Sequence, residues 1–205
     1  MNRIGLAREL AALAQTGSHF SKDAYDQERY RRINELAAAL LAEGSDVSAE
    51  TVLNWSKAEF GYATPKVDVR AFILEDNQVL LIREDADEGR WTLPGGWADV
   101  NESPSESVVR EVREECGFEI QPIRLLAVFD REKQGHVPPF PYHVYKLFFQ
   151  CEIIGGEARR TAESSESGFF REDELPELSN SRVLPQQIQD FFTAVRAGDS
   201  EVKFD

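Results

Sequence analysis

The chain has 205 residues, enough for one ordinary domain and a small appended one, and its 41% hydrophobic content allows a buried core. Its 37 acidic against 23 basic residues give a formal charge of −14, a field that repels nucleic acid, anionic membranes and nucleotides alike. A phosphate-bearing substrate would therefore need local cations, either bound metal or placed Arg and Lys. No apolar run approaches the roughly 20 residues that span a bilayer, and Arg8 and Glu9 interrupt Met1 to Phe20, a poor secretory signal. A cytoplasmic protein with no membrane partner is expected.

Residues 1–60 read as a small all-helical domain. Arg3 to Gln15 places Ile4, Ala7, Leu10, Ala11 and Ala14 on one face. A second helix is expected from an N-cap at Ser21 to Gly44, with Tyr30, Ile33, Leu36, Ala37, Leu40 and Leu41 at helical spacing. A third, Ser48 to Phe60, carries Val52, Leu53 and Trp55. Three short helices bury little area alone, so this piece is expected to pack on something, whether the rest of the chain or a second copy. Its seven basic and nine acidic residues lack the basic footprint of a DNA reader.

Gly61 to Pro65 looks like a linker, after which the periodicity changes. Val67 to Leu74 and Val79 to Arg83 read as strands joined by a turn at Glu75-Asp76-Asn77. Leu125 to Asp130 and Tyr142 to Ile154 read as further strands, with another at Gly168-Phe169-Phe170. Arg182 to Ala197 is expected as a closing helix with Val183, Ile188, Phe191, Phe192 and Val195 inward. Residues 65–205 thus form a mixed α+β domain. Cys116 and Cys151 lack metal-site spacing and read as small buried hydrophobes.

The chemistry concentrates between Gly95 and Phe118. Ser103-Pro104-Ser105-Glu106 is a capping box with proline at the first helical position, and Gly117 is a natural stop. On the helix between them, Glu111, Glu114 and Glu115 project from one side. Like charges at that spacing repel, and near a C-terminus the helix dipole also disfavours them. Oxygen ligands gathered on a rigid element are what Mg²⁺ or Mn²⁺ requires.

Gly96, Glu102, Arg110, Glu111, Val112, Glu114, Glu115, Gly117 and Phe118 resemble the Nudix box, G-x5-E-x7-R-E-U-x-E-E-x-G-U, at every position. The resemblance implies the Nudix fold, a mixed β-sheet sandwiched between α-helices, and hydrolysis of a nucleoside diphosphate linked to another moiety. It implies Glu111, Glu114 and Glu115 as ligands of Mg²⁺ or Mn²⁺, with Gly96 giving a backbone carbonyl or free room. Glu102 and Arg110 would form a supporting ion pair. The proton acceptor would be Glu114, Glu115 or a carboxylate outside the box in Glu163-Ser164-Ser165-Glu166, where Glu166 fits better.

On the substrate side, the resemblance favours a phosphate contact at Arg70 over a structural salt bridge, with Arg83 as a weaker version. The loop Asp130-Arg131-Glu132-Lys133-Gln134-Gly135-His136 and the prolines after it resemble the substrate-facing loop of one Nudix subgroup. Asp130, Arg131 and His136 are its candidate contacts, whereas His143 and Lys146 read as structural. That subgroup carries an N-terminal helical extension, here around Asp26 to Tyr30, and includes ADP-ribose and CDP-choline pyrophosphatases. It implies a nucleoside diphosphate-linked small molecule as substrate and a homodimer built on the helices. Two alternatives stand beside it: a hydrolase of nucleoside triphosphates or RNA ends, and a nucleotide-binding regulator with an inactive Nudix domain.

Overall fold

By internal contacts the chain divides into two units, Met1–Lys66 with Val137–His143, and Val67–His136 with Val144–Asp205. The computed structural model describes residues 3–43, 45, 47–59, 61–161 and 164–205. The expected helix ends at Gly44 and Phe60, and the carboxylate of Glu163, lie outside the described residues.

The first unit holds α1 (Arg3–Phe20), α2 (Ala24–Glu43) and α3 (Ala49–Ala58). α1 runs five residues past its expected end. The cap of α2 is Asp23 rather than Ser21: its Oδ1 accepts from the Tyr25 and Asp26 amides at 2.9 and 3.0 Å. A carboxylate there also answers the positive end of the helix dipole. Ser48 caps α3, its side chain accepting from the Thr51 amide. Ile4, Ala7, Ala38, Leu41 and Val52 form this unit's core, its alanines letting α1 and α2 approach closely. Leu10 and Leu36, expected inward, are 39% and 49% exposed.

Residues 137–143, expected to begin as substrate loop and end as strand, belong to this helical unit. Arg8 Nε donates to the Phe140 carbonyl at 3.0 Å, and Trp55 stacks on Tyr142 with centroids 5.2 Å apart.

The second unit is built on one mixed sheet. Its strands are β1 (Lys66–Glu75), β2 (Gln78–Glu84), β3 (Arg90–Thr92), β4 (Phe118–Asp130), β5 (Val144–Gly156), β6 (Ser164–Arg171) and β7 (Lys203–Phe204); α4 (Pro104–Cys116) and α5 (Pro185–Arg196) complete it. The order is β3-β2-β1-β5-β4-β7, with β6 also on β2 and β7 parallel to β4. Asp76 and Asn77 both take positive φ, the two-residue hairpin geometry that joins β1 to β2. Alternation sorts the strands between two cores. Val69, Ala71, Ile73, Leu80 and Ile82 pack with Val108, Val112 and Cys116 of α4. Phe72, Val79 and Leu81 pack with Ile188, Phe191 and Phe192 of α5.

One irregularity positions the site. β6 pairs with the whole length of β2, so β1 and β3 must share the other edge of β2. β1 holds it only at Leu74 and Glu75, and β3 takes over from Ile82 to Glu84. The chain leaving β3 then crosses to β1: the Val69, Ala71 and Ala98 amides bond the carbonyls of Gly96, Pro94 and Val67. Residues 93–98 therefore bridge a fork in the sheet.

Candidate active site

Both ends of α4 are built as its sequence dictates. Ser103 Oγ accepts from the Glu106 amide, Glu106 returns a bond to the Ser103 amide at 2.8 Å, and Gly117 closes the helix at φ 81°. Val108, Val112 and Cys116 face the sheet. This fixes Glu111 and Glu115, 8% and 5% exposed, at the edge of the buried face, while Glu114 stays exposed.

Arg110 gathers the acidic groups of the helix. Its Nε donates to both Glu102 oxygens at 3.0 and 3.1 Å, and its Nη1 to Glu111 and Glu114 at 2.8 and 3.0 Å. Nη2 donates to the Trp97 carbonyl at 3.2 Å, tying helix to loop. Ser107 Oγ holds Glu102 from the other side.

Glu115 turns into the fork instead. Its Oε2 accepts the Gly95 N–H at 2.6 Å. Gly95 has φ 136°, and a β-carbon there would fall 2.1 Å from the Val69 carbonyl oxygen, so only glycine fits. A β-carbon on Gly96 would fall 2.8 Å from Glu111 Oε2. The missing side chain thus leaves room beside Glu111. The Gly96 carbonyl accepts from the Val69 amide at 2.8 Å, which uses one of its two lone pairs.

Burial pushes the Glu115 carboxyl up to about 8, against the pull of Arg70 and the Gly95 N–H. Burial raises Glu111 too, with Arg110 and Arg70 opposing. Among the described residues no three Asp, Glu, His or Cys side chains converge closely enough to hold one ion. Glu111 and Glu114 are drawn to Arg110 and Glu115 to Gly95. The donor chemistry nevertheless fits a hard divalent cation: oxygen only, two buried carboxylates that a cation would keep ionised, and a glycine that clears space at Glu111.

Glu166 lies opposite Arg83 in the β2–β6 register, the pair 3.7 Å apart and each about half exposed. Arg83 Nε also donates to the Gly89 carbonyl at 3.2 Å. The start of β6 is fastened to the end of α4, because Ser164 and Thr161 hydroxyls both donate to the Glu115 carbonyl.

Three expected substrate contacts prove to be internal. Arg70 is 4% exposed, with Nε and Nη2 on Asp68 at 3.1 and 2.8 Å and Nη1 on the Leu93 carbonyl at 3.1 Å. His136 is 2% exposed, its Nδ1 3.1 Å from the Asn180 carbonyl and its Nε2 3.3 Å from the Gln187 amide. Burial, then Lys146 and Arg131, bring it down to about 3, so it is neutral. Arg131, also buried, donates from Nε to the Ser181 carbonyl. Asp130 turns its Oδ1 to the Glu132 and Lys133 amides, capping its own loop.

Sequence reading missed Glu84 and Asp68. Glu84 ends β2, pairs with Arg182 at 3.2 Å, and lies near enough to add to the upward pressure on Glu115. Nothing local distinguished it from an ordinary strand-end acid. Asp68 carried a weak signal, an aspartate inside an otherwise apolar strand two residues from an arginine.

A model of the NUDIX domain matches residues 64–191. The chain belongs to the Nudix hydrolase family. A second model, described as a UDP-X-like N-terminal oligomerisation domain, matches residues 3–55. Over 199 residues the chain is 43% identical to Bacillus subtilis YjhB, provisionally named an ADP-ribose pyrophosphatase, covering 97% of this chain and 95% of that one. It is similar to a solved UDP-X diphosphatase, with TM-score 0.64 and 33% identity over 98% of this chain and 97% of that one. An ADP-ribose pyrophosphatase from Streptococcus suis 89-1591 gives TM-score 0.63 and 37% identity over 69% and 100%. The mixed α+β Nudix fold with N-terminal helices is therefore shared with proteins of this enzyme class, a hydrolase of phosphorus-containing anhydrides.

Proposed function

We propose that this Nudix hydrolase cleaves the diphosphate linkage of a nucleoside diphosphate joined to a second group, releasing a nucleoside monophosphate and the phosphorylated second group. ADP-ribose is the leading substrate. The observation that carries this reading is the end-to-end likeness to YjhB, extended by a similar Streptococcus suis structure named for the same activity.

Glu111, Glu114 and Glu115 would hold Mg²⁺ or Mn²⁺ in the room left by Gly96. Bound there, a divalent cation offsets phosphate charge and lowers the pKa of water. The chain's own residues do the rest. Arg110 holds Glu111 and Glu114 in place through its Nη1, and the Gly95 N–H holds Glu115 in the fork. Glu166, accessible and on a strand fastened to Glu115, accepts a proton from the attacking water as the bridging P–O bond breaks. Arg83 stands beside it as the phosphate contact. The helical unit forms a homodimer, a reading supported by the description of the model that matches it.

A product-resolved screen with Mg²⁺ and with Mn²⁺ tests the reading, across ADP-ribose, UDP-linked sugars, CDP-choline, NADH, dinucleoside polyphosphates and nucleoside triphosphates. AMP and ribose 5-phosphate from ADP-ribose, lost in Glu114→Gln with the fold intact, is the expected result. Turnover confined to triphosphates would overturn it.

A further inference from the structure

Beneath the loop that bridges the fork lies a buried set of charges that the mechanism above does not use. Asp68 and Arg70 are two apart on β1 and so share one face, where β5 brings Lys146 against them. Asp68 is 5% exposed and accepts three bonds: two from the Arg70 fork and one from Lys146 Nζ at 2.5 Å. Burial works to raise its pKa, but the two cations outweigh it and hold it at about 2.

Arg70 has other acids within reach. The Gly95 backbone touches both sides of the fork: its N–H bonds Glu115, and a β-carbon on it would lie 2.9 Å from Arg70 Cα. Glu115 and Glu111 both act on the charge of Arg70. A buried guanidinium is held by whichever carboxylate meets its fork best, and a bidentate pair is the strongest geometry open to it. Asp68 supplies that geometry, and Lys146 anchors Asp68 so that it cannot turn away.

We infer that Asp68, anchored by Lys146, is a positioning residue that holds the Arg70 guanidinium off Glu111 and Glu115, leaving those carboxylates open to a cation. The inference rests on the reading of Glu111 and Glu115 as metal ligands. Without Asp68, Arg70 is a buried cation that has lost its bidentate partner and still feels the charges of Glu115 and Glu111. It would pair with them and compete with the metal.

Two double variants separate this from a purely structural role. Asp68→Asn with Lys146→Met and Asp68→Asn with Arg70→Met each remove the anion and one of its two cationic partners, and they differ in whether the guanidinium stays. Mn²⁺ binding by titration calorimetry, alongside melting temperature and kcat with ADP-ribose, should show at least about tenfold weaker binding where Arg70 remains. The variant that keeps Lys146 should bind Mn²⁺ within about twofold of wild type. Equal affinities in the two variants would overturn the inference while the ligand assignment stood. The ligand assignment is checked separately by Glu115→Gln: if that variant binds Mn²⁺ as wild type does, both ideas fall. Should either double variant fail to fold, Asp68→Asn should bind Mn²⁺ at least about tenfold more weakly than wild type and Arg70→Met within about twofold of it, and equal affinities would again overturn the inference.

Discussion

The Gly95 N–H meets the Glu115 carboxylate at 2.6 Å, so the loop that bridges the sheet fork and the last turn of α4 form one unit. Gly95→Ala would put a methyl 2.1 Å from the Val69 carbonyl oxygen at φ 136°, and the backbone would have to move. The expected cost is at least about 3 kcal/mol of stability, together with loss of turnover. Urea unfolding and kcat measure both, and a change below about 1 kcal/mol would show that the loop yields freely.

Arg110 bonds Glu102, Glu111, Glu114 and the Trp97 carbonyl through three separate nitrogens. Lysine keeps the charge but has no fork, so Arg110→Lys should free Glu111 and Glu114 to wander. Because α4 keeps its caps, the melting temperature should hold while kcat and Mn²⁺ affinity fall about 10- to 100-fold. Undiminished affinity would mean that these bonds do not orient the carboxylates.

How much of this was legible beforehand depended on whether the cause was local. The ends of α4 were, because Ser103, Pro104, Glu106 and Gly117 act within one turn of where they stand. β3 and β7, of three and two residues, carry no periodicity, and β4, which starts at Phe118, is expected only from Leu125 because Glu119, Gln121, Pro122 and Arg124 interrupt its apolar pattern. A register shift falls there, between Pro122 and Arg124. Arg70 and His136 looked like surface ligands, since only the fold reveals Asp68 beside one and Gln187 and Asn180 beside the other. Ser21 was displaced as a cap by Asp23, two residues on, whose carboxylate accepts from the Tyr25 and Asp26 amides.

His136 sets a pH dependence. Its folded pKa, about 3, lies below the ordinary 6.5, so the unfolded chain takes up a proton that the folded chain refuses. The stability it confers is therefore complete above about pH 6.5 and is lost progressively as pH falls towards 3, amounting to on the order of 3 kcal/mol by about pH 4. Asp68, with its pKa at about 2, gives way only at lower pH. His136→Asn keeps a donor for the Asn180 carbonyl but cannot be charged, so its unfolding free energy should fall less steeply across that window. Parallel profiles for the two proteins would refute the assignment.

The last prediction concerns α1, which carries two apolar stripes. Ile4, Ala7 and Ala14 are buried within the helical unit, whereas Leu6, Leu10 and Leu13 follow one another at spacings of four and three and are 46%, 39% and 60% exposed. Residues so spaced share a face. In a two-fold dimer each leucine is used twice, at roughly 2 kcal/mol for each side chain fully buried. Two chains of charge −14 also repel, so added salt should tighten the association rather than loosen it. Sedimentation equilibrium at micromolar concentration should give twice the 23.2 kDa chain mass for wild type and a monomer for Leu10→Glu with Leu13→Glu. A wild-type monomer would remove the homodimer from the proposed function. A variant that stays dimeric would move the interface off this stripe.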